Sequence, residues 1–226
     1  MPNILLSQTK KRNRSRNKNR TSKSKLANKL ANKLANKIDG QLQLISLANI
    51  NSSDHINQLA KITSNPITMK HIGKGSIWSI DDIKQYITDE QVEQYKPHFK
   101  RQYYSFILLK NNVVIGFISG RKSVGFNTQP GIGKYDLLLR MFISVEYTGQ
   151  GLGTKILLLF IEAYARMLHP VIGNKLRNVR LYSDIALDNT ASLKIHQKNK
   201  FHFIRKISYN GKPYNRYVRN LSSLKI

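Results

Sequence analysis

The segment FISVEYTGQGLGTKILLLF, Phe142 to Phe160, constrains this chain more than any other stretch. An apolar run that reads as a strand must turn into a long apolar helix across Gly149, Gly151 and Gly153, three glycines in five positions. A helix that opens there presents unpaired amides and the positive end of its dipole, which together favour an anion such as a phosphate. Gly151 and Gly153 let the backbone come close to that anion, because a Cβ would occupy the space it needs. Thr154 adds a hydroxyl and Lys155 a positive charge nearby. Two nucleotide loops are excluded by spacing. A dinucleotide fingerprint needs a further glycine where Ile156 stands, and a Walker loop needs Lys before Ser or Thr, whereas GLGTK reverses them.

The patterning around the loop gives an order of elements. QLQLISL alternates as a strand, Ser52 or Ser53 caps a helix running to Ile62, and Ser79 caps a second helix ending before Pro97. RQYYSFILLK and VVIGFISGR form a hairpin about Asn111-Asn112. After a polar, glycine-rich connection from Lys122 to Lys134 come the strand YDLLLRMFIS and a helix from Thr154 to Leu168, stopped by His169-Pro170. The strand NVRLYSDIAL, a helix from Asn189 to about Lys198, and two strands around Asn210-Gly211 complete the chain. Helices and antiparallel strand pairs in this order specify an α+β fold with a central mixed, mostly antiparallel sheet flanked by helices, and not a doubly wound one.

With 226 residues the chain accommodates a tail, residues 1–40, and one domain, residues 41–226, large enough to bury a core. The net charge is +26, and residues 1–37 contribute twelve Lys or Arg with no acidic residue. Such a stretch is too poor in apolar groups to order itself, so the basic tail is expected to be disordered. Three Leu-Ala-Asn-Lys repeats at 26–37 read either as a replicated linker or as a helix that docks on a partner or nucleic acid. The absence of cysteine removes disulfides, thiolate zinc sites and acyl-cysteine intermediates, and it suits a reducing compartment. The six histidines lack ligand-like spacing with carboxylates, so no metal is expected. The N-terminus lacks the apolar core of a secretory signal, and the run Ile156 to Ile161 is too short to span a bilayer. The expectation is a soluble intracellular protein, with cytoplasm and nucleus both open.

A second segment, NTASLKIHQKNKF at 189–201, follows the glycine loop downstream. Together the two resemble the GNAT superfamily of acetyl-CoA-dependent N-acetyltransferases. That family carries Gln/Arg-x-x-Gly-x-Gly/Ala after a strand and then Asn-x-x-Ala-x-x-Leu-Tyr-x-x-x-Gly-Phe. The resemblance covers roughly residues 41–220 and implies a GNAT-like sheet with acetyl-CoA as co-substrate. It also implies a pyrophosphate cradle over Gly149, Gln150, Gly151, Leu152, Gly153 and Thr154. By position, Met141, Phe142 and Ile143 face the pantetheine arm and thioester, and Asn189 contacts the CoA arm while capping its helix. Thr148 departs from the pattern, standing where the family has Gln or Arg. His196 takes the position of the tyrosine that protonates the leaving thiolate, and reads either as that general acid or as a residue lining the channel or helix surface. Asp184 is placed as general base or as a strand-edge carboxylate. Tyr209 and Tyr214 wall the acceptor site or pack within their strands.

Two classes of function follow. One is an N-acetyltransferase acting on a protein N-terminus, a lysine or a small amine by direct attack. The other is a protein bound to nucleic acid or another polyanion through its tail, with a degenerate acyl-CoA-binding domain.

Overall fold

The computed structural model describes residues 42–72, 75–122, 133–209 and 211–221. The basic tail, most of the glycine-rich connection and Asn210 lie outside them. Seven strands form one sheet: β1 (Leu42–Ser46), β2 (Tyr103–Lys110), β3 (Val113–Arg121), β4 (Leu137–Ile143), β5 (Arg180–Ala186), β6 (His202–Tyr209) and β7 (Lys212–Asn220). Their order is β1-β2-β3-β4-β5-β7-β6, antiparallel except where β4 meets β5. The expected mixed, mostly antiparallel sheet is present. The last strand inserts beside β5 and leaves β6 at the edge, an order that patterning along the chain does not encode.

Helices cover both faces. Helices α1 (Ser53–Thr63), α2 (Pro66–Met69) and α3 (Ile80–Glu93) pack on one side. There Leu59, Ile62, Met69, Ile83 and Ile87 join Ile107, Leu109, Phe117 and Phe142 of the sheet. Helices α4 (Leu152–Ile172) and α5 (Thr190–Lys198) cover the other side, where Ile156, Leu157, Phe160, Ile161 and Tyr164 meet Phe106, Ile118, Leu137, Leu139 and Leu181. By length and composition Leu152–Asn178 would suffice to cross a membrane. Its buried residues, among them Ile156, Leu157, Phe160, Ile161 and Leu168, pack in the core beneath the sheet, as a core helix of the domain does.

Local signals account for most boundaries. Ser79 caps α3 through a reciprocal pair: the Asp82 amide donates to Ser79 Oγ, and Ser79 N–H donates to the Asp82 carboxylate at 2.7 Å. Asn111 and Asn112 both have positive φ, 51° and 64°, the conformation that a tight two-residue hairpin requires. The short α2 was not expected; Asn65 caps it and Pro66 occupies its first turn, where a missing N–H costs nothing. Helix α4 differs from the expectation at both ends, starting at Leu152 and continuing through Pro170 to Ile172. The carbonyl that Pro170 leaves without a donor is that of Arg166, an exposed residue, so water can satisfy it while Met167 and Leu168 remain buried.

Candidate active site

The junction of β4 with β5 holds for only two rungs, Leu137 with Leu181 and Leu138 with Tyr182. Both strands continue, β4 to Ile143 and β5 to Ala186, but no pairing joins them beyond those rungs. The sheet therefore opens as a V whose arms carry unpaired backbone facing the gap, and Met141, Phe142 and Ile143 lie on one arm. Gly116 shapes this arm, since a Cβ on it would stand 2.6 Å from the Phe142 carbonyl oxygen. Only glycine lets β3 approach β4 so closely there.

Beyond the end of β4, a 3-10 turn (Val145–Tyr147) leads into the glycine loop. Gly149 and Gly151 adopt positive φ, 78° and 72°, and a Cβ on either would meet nothing within 4 Å. Their left-handed backbone explains the choice of glycine, and the open space beside them is free for a ligand. Gly151 is the N-cap of α4, and no side chain caps the helix there. The first turn of a 21-residue helix thus points its amides at the mouth of the V. Gly153 has a different reason from the one the pattern suggested. A Cβ on it would lie 2.5 Å from Ile195 Cδ1, so this glycine serves the packing of α5 on α4. Asn199 strengthens that contact by donating from its amide to the Thr154 carbonyl at 3.2 Å.

Thr148 supplies no donor in place of the missing Gln or Arg. Its hydroxyl donates to the Val145 carbonyl at 2.8 Å, within its own turn. A cation that the sequence reading missed comes instead from β2: Lys110 Nζ lies 3.3 Å from Gln150 Oε1 and over the Tyr147 ring. The only sequence signal for it is a charge ending an otherwise apolar strand.

The two residues expected to move protons are both engaged elsewhere. His196 is 4% exposed, its Nδ1 sits 2.8 Å from the Ser192 carbonyl, and its ring packs edge-on against Phe201. Burial pushes the imidazole down to about 4, so it is neutral near pH 7 and no ready acid. The amide of Phe201 donates to the His196 carbonyl and that of Lys200 to Gln197, with Lys200 at φ 59°. This is a Schellman C-terminus, in which the apolar contact between Phe201 and His196 belongs to the cap. The family's Gly-Phe pair reads physically as this left-handed residue and its packed neighbour.

Asp184 lies on the arm of β5, opposite Arg216 of β7. Arg216 Nε donates to Asp184 Oδ1 at 2.7 Å and Nη2 to Oδ2 at 2.9 Å, while the Tyr209 hydroxyl donates to Oδ2 at 2.6 Å. The two charged side chains are only 4% and 7% exposed. Burial, followed by the Asp184 carboxylate, pushes the Tyr209 hydroxyl up to about 12. Both carboxylate oxygens are committed to this triad, an arrangement that fixes the β5–β7–β6 wall. Asn189 caps α5, accepting from the Ser192 amide at 3.0 Å, as expected of the N-cap. Tyr214 packs edge-on against Tyr209.

The sequence profile of the family described as Acetyltransferase (GNAT) domain matches residues 45–202, more than two thirds of the chain. No curated protein matches the chain at a significant level. Among solved structures, RimL, a ribosomal L7/L12 alpha-N-protein acetyltransferase in complex with coenzyme A, is similar with a TM-score of 0.61 and 16% identity, over 83% of this chain and 98% of its own. An acetyl transferase from Salmonella typhimurium that modifies the N-terminal serine of L7/L12 gives 0.60 and 17%, over 81% and 97%. The aminoglycoside acetyltransferase AAC(6')-Ib, with an aminoglycoside and acetyl-CoA bound, gives 0.58 and 14%, over 80% and 92%. At these identities the structural likeness is one of fold.

Proposed function

We propose that this chain, which belongs to the GNAT acetyltransferase family and is an acetyl-CoA-dependent N-acetyltransferase, holds its donor across the loop and the V described above. The pyrophosphate rests on the amides of Gly149, Gln150, Gly151, Leu152, Gly153 and Thr154, with Lys110 and Lys155 as nearby cations. The pantetheine arm runs inward along Met141, Phe142 and Ile143, where the unpaired backbone of β4 replaces the rungs that β5 no longer supplies. Asn189 borders the arm from the start of α5. The observation that carries this reading is the coincidence of the two features: a sheet that opens after two rungs and an uncapped helix N-terminus at its mouth.

The acceptor amine attacks the thioester carbonyl directly. A C–N bond forms, the C–S bond breaks, and the proton released by the amine balances the one taken up by the CoA thiolate. Hydrogen bonding from the backbone of β4 to the carbonyl oxygen would stabilise the charge that develops there. Asp184 acts as a positioning residue: through Arg216 and Tyr209 it sets the wall against which the acceptor lies. His196 holds the end of α5 and thereby Ile195 against Gly153. The amine proton leaves through water in the open V.

The test is direct because the chain has no cysteine, so a thiol reagent reads only released CoA. Purified protein mixed with acetyl-CoA and a panel of N-terminal, lysine and small amines should release CoA and yield an acetylated product. No release with any amine, together with no CoA binding by calorimetry, would overturn the reading.

A second activity is supported by the twelve Lys or Arg in residues 1–37 with no acidic residue among them. We propose that this tail binds nucleic acid or another polyanion and is separable from acetyl transfer. Removing residues 1–40 should abolish RNA or DNA binding and its salt dependence while leaving CoA release intact.

A further inference from the structure

On the face of the sheet covered by α1–α3, two guanidinium groups stand side by side without a counter-ion among the described residues. Arg140 of β4 is opposite Ser119 of β3, and Arg121 of β3 is opposite Leu138, so the two arginines are diagonal neighbours on one face. Tyr103 of β2 is opposite Arg121, and Tyr86 of α3 packs its ring 5.8 Å from that of Tyr103. Burial first, then the neighbouring Arg121 charge, pulls the Arg140 guanidinium down from its ordinary range. Arg140 is therefore partly desolvated beside a like charge, an arrangement that a protein ordinarily relieves with a carboxylate.

The carboxylate that reaches Ser105 on this face, Glu90, is already committed to Arg101. Asp136 pairs with Arg180, Glu90 with Arg101, Glu93 with Lys96, Asp184 with Arg216 and Asp188 with Lys70, and Asp82 caps α3. Among the described residues none pairs with Arg121 or Arg140, and the connection at 123–132 contains no Asp or Glu. Two buried hydroxyls adjoin this pair. The hydroxyls of Ser105 and Ser119, directly opposed across β2 and β3 and at most 1% exposed, lie beneath it within reach of the Tyr86 hydroxyl. A pair of unneutralised guanidiniums with hydroxyl groups beside them has the chemistry of a carboxylate site.

Its position makes it part of the acceptor side. Arg140 precedes Met141 on the open arm of β4, so its Cα lies about 3–10 Å along the strand from those of Met141, Phe142 and Ile143. We infer that Arg140 and Arg121, with Ser119 and Tyr86, bind a carboxylate of the acceptor, so that the substrates are amines bearing an anionic group within one or two residues of the nitrogen. This rests on the acetyltransfer reading above and narrows it. It favours amino acids or acidic N-terminal peptides and disfavours polycationic amines, whose charge the arginine pair repels. The two anionic sources share one chemistry, and the experiment separates them.

The experiment compares matched acceptors with the full-length protein and saturating acetyl-CoA. One arm sets a free amino acid against its amide; a second sets peptides with Asp at position 2 or 3 against the Asn counterparts; a third uses spermidine. In at least one anionic arm, kcat/KM should exceed that of the uncharged match by about tenfold, the scale of one charge-assisted contact. Arg140→Gln should bring that ratio close to one while leaving the calorimetric affinity for CoA unchanged, and Arg121→Gln should reduce it less. Binding of the same acceptors to the CoA complex, read by calorimetry, gives the ratio even where turnover is slow. Equal binding and rates for acid and amide, a preference for spermidine, or a ratio untouched by Arg140→Gln would overturn the inference. Loss of CoA binding in the wild-type protein would instead count against the acetyltransfer reading.

Discussion

Asp184→Asn distinguishes a carboxylate that does chemistry from one that holds a wall together. In the structure Asp184 neutralises Arg216 through two hydrogen bonds at 2.7 and 2.9 Å, and Arg216 is 3% exposed. The substitution keeps the shape but leaves a buried guanidinium without its counter-charge, a change that costs about 3 kcal/mol or more. For a domain of this size that is a fall in Tm of about 6–12 °C, which differential scanning calorimetry resolves. Removing both charges in Asp184→Asn/Arg216→Met should restore part of the loss, with a coupling of about 1.5 kcal/mol or more in urea unfolding. At a temperature well below either transition, kcat should fall less than about tenfold, because no proton passes through the carboxylate. A general base would give the opposite pattern, an unchanged Tm and a loss of about 100-fold or more in kcat. That result would refute the structural assignment of Asp184 and restore it to the chemistry.

Four further outcomes follow from single positions. His196 has its folded-state pKa depressed to about 4, so the unfolded chain takes up the proton first as pH falls. Stability is then full above about pH 6.5 and drops by about 2 kcal/mol between pH 8 and pH 5 on this account. His98, also pushed down to about 4 by burial, adds to the drop, whereas Glu90 and Asp136, pushed up by burial, oppose it. The difference in urea midpoint between the wild type and His196→Leu at the two pH values isolates the His196 share, and an identical pH dependence in both would contradict it. Gly116→Ala puts a methyl 2.6 Å from the Phe142 carbonyl, and backbone cannot step aside as a flexible side chain can. It should cost about 1–3 kcal/mol and raise KM for acetyl-CoA by displacing β4 at the thioester. Thr148→Gln restores the donor that the loop lacks at an exposed position; KM for acetyl-CoA should fall while stability stays within about 0.5 kcal/mol. Lys200→Gly relieves a left-handed residue at φ 59° and should stabilise the domain by about 0.5–1 kcal/mol, seen as a higher Tm with unchanged kcat.

These outcomes divide along what a sequence can encode. The glycine loop was legible because its information is local: a positive φ and an uncapped helix turn are properties of neighbouring residues, and only glycine tolerates the first. Asn189, Ser79 and the Asn111-Asn112 turn were legible for the same reason: the first two accept from a backbone amide three residues on, and the turn places two residues that tolerate positive φ side by side. The proton-transfer roles were not, because they depend on partners brought together by topology. Asp184 and Arg216 are 32 residues apart and meet only because β7 enters the sheet between β5 and β6. The alternation in NVRLYSDIAL places Asp184 on a face but does not say which cation shares it.

Gly153 and His196 show the same limit from the other side, since both matched a functional pattern for reasons that are structural. Gly153 is small because Ile195 occupies the space, and His196 is held by Phe201 at the end of the same helix. These are the two ends of one joint, by which α5 docks on the first turn of α4, and Asn199 closes it through the Thr154 carbonyl. The second motif therefore positions the first: a helix whose amides are to hold an anion needs its opening turn fixed, and α5 fixes it. On this argument the downstream segment bears on CoA affinity through this joint as well as through Asn189. Loosening the joint at Ile195 should weaken donor binding, although every amide of the loop is still present.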